Sequence, residues 1–226
     1  MLKNTKYEDT FINTMELPWL PWIGSNFDES NSRTMILGES TYNWDPNDPY
    51  VAERISKNDH LRILHKNHAI NTERNSSYVR NIERAIFQAK KPSKEDKLNF
   101  WTSVAYHNLV LRHMPTLKDR PTYNDYKRGW EKYLLLIDVL NLKESVVYGL
   151  ESKKYNSLID TLKVQNITYE YKKLKTKVGN SYPRVIEIKN ISHKMIFIRH
   201  PSSFFSWKKW GKILKENLAI DIINKE

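Results

Sequence analysis

The sequence predicts one α/β domain, a three-layer α/β/α sandwich with a mainly parallel central sheet. Three observations predict it. Short apolar runs without turn residues, such as Thr34-Met35-Ile36-Leu37 and Met195 to Ile198, read as buried strands. Amphipathic stretches lie between them, clearest over Tyr123 to Asn141, where Trp130, Tyr133, Leu134, Ile137 and Leu140 share one side. The two kinds of segment alternate, as they do when crossover helices join parallel strands. A chain of 226 residues can bury a substantial core, so residues 1–226 are read as a single domain.

In chain order, Leu17 to Gly24 carries Pro18 and Pro21, which rule out regular helix or central strand. Residues 1–33 are therefore expected to be a packed, irregular N-terminal arm. The strand at Thr34 ends at Gly38-Glu39-Ser40-Thr41-Tyr42-Asn43, and Asp45 to Pro49 is a loop. Ser76 to Lys90 has helical spacing, and Ser93 with Glu95 and Asp96 opens another helix. Trp101 to Leu111 fits helix or strand, with a strand near Val104-Ala105-Tyr106 preferred, ending at His107-Asn108. Glu144 to Tyr148 is a strand stopped by Gly149, and Ser152 to Val164 a helix. Ile167 to Leu174 and Arg184 to Lys189 form a strand pair around Gly179-Asn180. Lys194 to Arg199 is the last core strand, and Ser206 to Asn224 the closing helix with Ser206 as N-cap.

Composition narrows the functional classes. The absence of cysteine excludes disulfides, thiolate metal sites and iron–sulfur clusters. No apolar run reaches transmembrane length, and the opening residues lack the apolar stretch of a secretory signal, so a cytoplasmic location is expected. The formal net charge is +11 and the isoelectric point about 9.5. That excess points to a polyanion, nucleic acid before a membrane surface, although a Lys- and Asn-rich composition alone also makes chains basic. Seven Trp and thirteen Tyr supply rings for stacking on bases as well as for the core.

Ligands of mainly parallel sheets bind beyond the carboxyl ends of the strands. Past the expected strand ends stand Glu39, Ser40 and Tyr42, then His107 and Asn108, then Gly149 and Glu151, then His200, Ser202 and Ser203. Acids, an amide, imidazoles and hydroxyls thus gather at one edge of an apolar sheet.

At these residues the chain resembles the uracil-DNA glycosylase superfamily. The likeness rests on Gly38-Glu39-Ser40-Thr41-Tyr42-Asn43 after a buried strand, and on His200-Pro201-Ser202-Ser203 after the last strand. It spans about Thr34 to Trp210, and the arm Trp19 to Gly24 is similar to divergent members, some serving in defence against phage DNA. The departures are specific. One branch has Asp where this chain has Ser40. Another has Glu at the Glu39 position but carries a four-cysteine cluster, which this chain cannot form. The family's base-reading Asn falls on Ser103 by strict spacing, and the nearest Asn is Asn108.

The resemblance implies hydrolysis of an N-glycosidic bond in DNA without metal or organic cofactor. Glu39 would stabilise the sugar cation and orient water, and His200 would donate to the departing base. Tyr42, Asn108 and Ser40 would bind the flipped base. Ser202 and Ser203 would hold phosphate, Phe204 or Phe205 would wedge into the stack, and Lys208, Lys209 and Lys212 would hold flanking phosphates. Plainer readings stand beside these: a solvated loop acid, a strand-end histidine, a turn asparagine, a capping serine, at least one core phenylalanine, and the wet face of a helix. His60, His65, His68 and His107 match no standard zinc spacing. A non-catalytic nucleic-acid-binding protein with the same fold is the rival expectation.

Overall fold

The structure, a computed structural model, describes residues 2–224 except 44, 46, 74 and 203. The elements run β1 (Trp22–Ile23), β2 (Thr34–Gly38), β3 (Thr41–Tyr42), α1 (Pro49–Ser56), α2 (His60–His65), α3 (Ser77–Phe87), α4 (Lys94–Ser103), β4 (Ala105–Asn108) and β5 (His113–Met114). They continue with α5 (Tyr123–Leu140), β6 (Glu144–Tyr148), α6 (Ser152–Val164), β7 (Tyr169–Lys173), β8 (Arg184–Ile188), β9 (His193–Ile198) and α7 (Trp207–Asn217). The main sheet has the order β1-β4-β2-β6-β9-β8-β7. Its centre, β4-β2-β6-β9, is parallel, while β1 and β8 run antiparallel to their neighbours.

Helices cover both faces because the strands alternate. Met35 and Leu37 of β2 face a cluster with Trp130, Tyr133 and Ile137 of α5 and Leu158 of α6. Ile36 faces the opposite cluster, with Ile82 of α3, Trp101 of α4 and Trp210 of α7. Burying each large apolar side chain contributes about 1.5–3 kcal/mol before the entropy of ordering is charged. Much of the tryptophan belongs to this core. Trp19, Trp22, Trp101 and Trp130 are buried, with their indole N–H groups donated to Ile55 O, Trp101 O, Glu83 Oε1 and Lys154 O. No helix among the described residues is long and apolar enough to cross a membrane.

Several local expectations are corrected. The arm is not wholly irregular: Trp22–Ile23 pairs with Ala105 and Tyr106 as an edge strand, where a preceding proline is tolerated. Trp101 to Ser103 end α4, whose start is fixed by a Ser93–Asp96 capping box, and the strand follows at Ala105–Asn108. Residues 49–65, assigned no helix from sequence, form α1 and α2. The closing helix stops at Asn217, seven residues early. Beyond it the backbone is held by side chains: Ala219 N–H donates to Glu144, Asp221 N–H to Ser32 Oγ and Ile223 N–H to Ser103 Oγ. Ser206 occupies the N-cap position of α7 but makes no side-chain capping bond.

Candidate active site at the carboxyl edge of the sheet

The parallel strands β4, β2, β6 and β9 all end at one edge, and a cavity of about 660 Å³ opens there. That lies within the usual range for ligand sites. Glu39 follows β2, and His200 lies two residues beyond β9. Both line this cavity, together with Tyr42, Asn108, Tyr148 and Ser202.

The turn carrying Glu39 is fixed from both sides. Leu109 N–H donates to Gly38 O and Val110 N–H to Glu39 O, so the backbone beyond β2 is locked to the backbone beyond β4. Gly38 is required by contact rather than by dihedral angle. A Cβ there would stand 2.4 Å from Asn108 Oδ1 and 2.8 Å from the Tyr106 hydroxyl. Gly38→Ala is therefore expected to destabilise the fold by about 1–3 kcal/mol and to displace Asn108. Denaturant unfolding checks this, and an unchanged midpoint would refute it.

Glu39 is held by Lys154 and Tyr126, neither of them among the site residues expected from sequence. Lys154, with none of its side chain exposed, donates to Glu39 Oε1 at 2.7 Å. The Tyr126 hydroxyl donates to the same oxygen at 2.9 Å. Lys154 also donates to Tyr148 O, lies 3.2 Å from Glu151 Oε2 and sits over the Tyr126 ring. Among the described residues no hydrogen bond reaches Glu39 Oε2. Burial pushes the Glu39 carboxyl up, but the Lys154 charge and hydrogen bond, the Tyr126 hydroxyl and His200 outweigh it, and the carboxyl is held below its ordinary range. The signal for Lys154 was its helical stripe: it falls in register with Ser157, Leu158 and Thr161, all buried.

His200 is fixed as a neutral donor. Ser202 N–H donates to its Nδ1 at 3.2 Å, with Ser202 Oγ at 3.0 Å, so the neutral ring carries its proton on Nε2. Burial lowers its pKa, Lys154 adds to the lowering, and Glu39 and Glu151 oppose it; the net shift is downward. The ring stands edge-on to Tyr148, with centroids 5.5 Å apart, and Asn81 ties the following loop to α3 by donating to Pro201 O.

The remaining expected residues separate. Asn108 faces the cavity from the end of β4, accepting from the Tyr106 hydroxyl and donating to Thr41 Oγ1. Ser103 lies away from the cavity, its hydroxyl donated to Asn99 O. His107, one residue out of phase with Asn108, turns to the opposite face, where its Nε2 pairs with Trp19 O and burial lowers its pKa to about 4. Ser40 and half-buried Tyr42 line the cavity. The Ser40 hydroxyl is buried without a hydrogen-bond partner among the described residues.

Phe204 is 89% exposed, with φ at 50°, a strained backbone for a bulky side chain. Phe205 instead stacks on Trp210 against the core. Lys208, Lys209 and Lys212 form the exposed face of α7, and Lys212 approaches Glu216 at 3.8 Å. Ser203 lies outside the described residues. His65 is buried against Tyr106, with its pKa lowered to about 3 by burial, and His68 lines the cavity beside Ser76 and Tyr78. Among the described residues no group of three His, Asp or Glu is placed to hold a metal ion.

An ionised carboxylate and a neutral imidazole protonated on Nε2 therefore line one cavity, with a tyrosine ring and an amide on its wall. The chain matches no protein-family model, and no curated protein shows significant sequence similarity to it.

Proposed function

We propose that this protein is a monofunctional DNA glycosylase of the uracil-DNA glycosylase type, built on a three-layer α/β/α sandwich. It hydrolyses the N-glycosidic bond of a flipped, non-standard base and leaves an abasic site. The base is uracil or a modified cytosine such as the glucosylated hydroxymethylcytosine of phage DNA, in base-excision repair or antiviral defence. One observation carries the reading: Glu39 and His200, far apart in sequence, line the same cavity beyond the parallel strands.

The chemistry follows from charge. As the C1′–N bond breaks, its electron pair goes to the base and positive charge develops on the sugar. Glu39 stabilises that cation, and its Oε2 orients a water whose oxygen bonds to C1′. The water's proton leaves through the carboxylate, and the departing base is protonated from solvent. His200 donates Nε2–H to the anionic base, a fixed dipole needing no reorganisation. Tyr42 and Asn108 bound the base, and exposed Phe204 fills the gap it leaves. Lys154 is committed to Glu39 and buried, which supports glycosylase chemistry without a lysine Schiff base.

The test is a panel of oligonucleotides with uracil, modified cytosines and standard bases, assayed for abasic sites. Release from at least one non-standard base is expected, and His200→Ala is expected to slow it on the order of 10²–10³-fold with DNA affinity retained. An inert wild-type protein, or a fully active His200→Ala, would overturn the assignment. Inertness with intact DNA binding would favour the rival, a non-catalytic binding protein, which Ser40 in place of an acid supports.

A further inference from the structure

The two strands beyond β9, β8 and β7, are not used by the chemistry above, and they carry an asymmetric charge. β7 runs in the same direction as β9, since each is antiparallel to β8. The registers Lys173↔Arg184 and Arg184↔Phe197 bring the end of β7 level with the end of β9, just before His200. The connection from Leu174 to Pro183 therefore leaves the sheet at the edge that holds the cavity.

That end is basic and aromatic. Lys172, Lys173, Lys175 and Lys177 are exposed. The Lys173 and Lys177 ammonium groups lie 4.3 and 5.8 Å from the Tyr182 ring centroid. Arg184 sits over the Tyr155 ring and donates to the Tyr171 hydroxyl, and Tyr155 and Tyr171 stack on each other. The opposite end of the hairpin is acidic but neutralised, with Lys189 2.9 Å from Glu170 and 2.7 Å from Glu187. Cations held by rings lose less side-chain freedom on meeting an anion than freely rotating lysines do.

We infer that the β7–β8 hairpin is a second DNA-binding surface, which grips the phosphate backbone beside the extruded nucleotide through Lys173, Lys175 and Lys177. Two strand spacings separate β7 from β9, roughly 10 Å. At about 3.4 Å of axis per nucleotide, that places the grip about three nucleotides from the flipped base. The occupant is a DNA strand because exposed cations gather at the end of the hairpin that leaves the sheet at the same edge as the cavity, where a polyanion bound at the cavity would continue. The inference rests on the DNA reading above but not on catalysis.

The experiment measures binding of the full chain to a labelled duplex bearing a tetrahydrofuran abasic analogue, over a range of salt. Lys173→Ala/Lys175→Ala/Lys177→Ala is expected to weaken binding roughly tenfold and to reduce the salt slope by about 2–3. Lys189→Ala, at the far end of the hairpin, is expected to leave both unchanged. Truncating the duplex beside the analogue on the gripped side is expected to abolish the difference between triple variant and wild type.

An unchanged slope in the triple variant would overturn the inference, and so would an equal effect of Lys189→Ala. So would a loss confined to phosphatidylserine vesicles rather than DNA. The two readings fail separately. A protein that releases no base but shows the slope change keeps the hairpin surface and loses the glycosylase assignment. An active enzyme with an unchanged slope does the reverse.

Discussion

Glu39→Gln is expected to abolish base release within the sensitivity of a gel assay, a loss on the order of 10²–10⁴-fold, while DNA binding survives. The amide keeps the size of the carboxyl, and its carbonyl can still accept from Tyr126 or Lys154. It removes the negative charge that would face the sugar cation and the base that would take the water's proton. DNA affinity is expected to hold or rise slightly, because an anion would leave a site that on the proposed function lies against a polyanion. Single-turnover release and equilibrium binding, measured on the same oligonucleotide, separate the two effects. A variant with wild-type release would remove Glu39 from the mechanism.

Lys154→Met is expected to damage both stability and activity. The side chain is wholly buried, and its ammonium group is 2.7 Å from Glu39. Removing one member of a buried ion pair costs about 3–5 kcal/mol, because the other charge is left desolvated. In the native protein the Glu39 carboxyl lies below its ordinary value of 4.5. The stability it contributes is therefore fully present above that value and is lost as pH falls through the lower native pKa. Without Lys154, burial dominates and the sign inverts. The carboxyl then titrates above 4.5, and the variant's deficit grows as pH rises through that raised pKa. Denaturant unfolding at pH 5 and pH 8 is expected to show the larger deficit at the higher pH. Adding Glu39→Gln is expected to recover much of the stability and none of the activity. A deficit independent of pH would show that Lys154 acts by packing alone.

Two classes of candidate residue behaved differently when the chain folded. The shared placement of Glu39 and His200 at one cavity was legible because they stand one and two residues past apolar strands, and parallel strands deliver their carboxyl ends to one edge whatever the details of packing. Phe204 and Phe205 were not separable, since adjacent aromatics carry the same local signal. Only the stack of Phe205 on Trp210 decides which ring is committed to the core. Asn108 and Ser103 were competing positions for one role. The pleat of β4 puts Asn108 on the cavity face, while Ser103 still belongs to α4.

By itself the sequence determined the order of the core strands and helices, since burial of one face imposes a period on each segment that survives in any context. It also determined the excess of positive charge and the absence of thiol chemistry. Tertiary structure alone decided how the acid is held, because Tyr126 and Lys154 reach Glu39 from 87 and 115 residues away. It also decided where the closing helix ends and that the connection from β7 to β8 leaves the sheet at the same edge as the cavity. Those outcomes depend on distances across the fold, and no local period encodes a distance between segments remote in the chain.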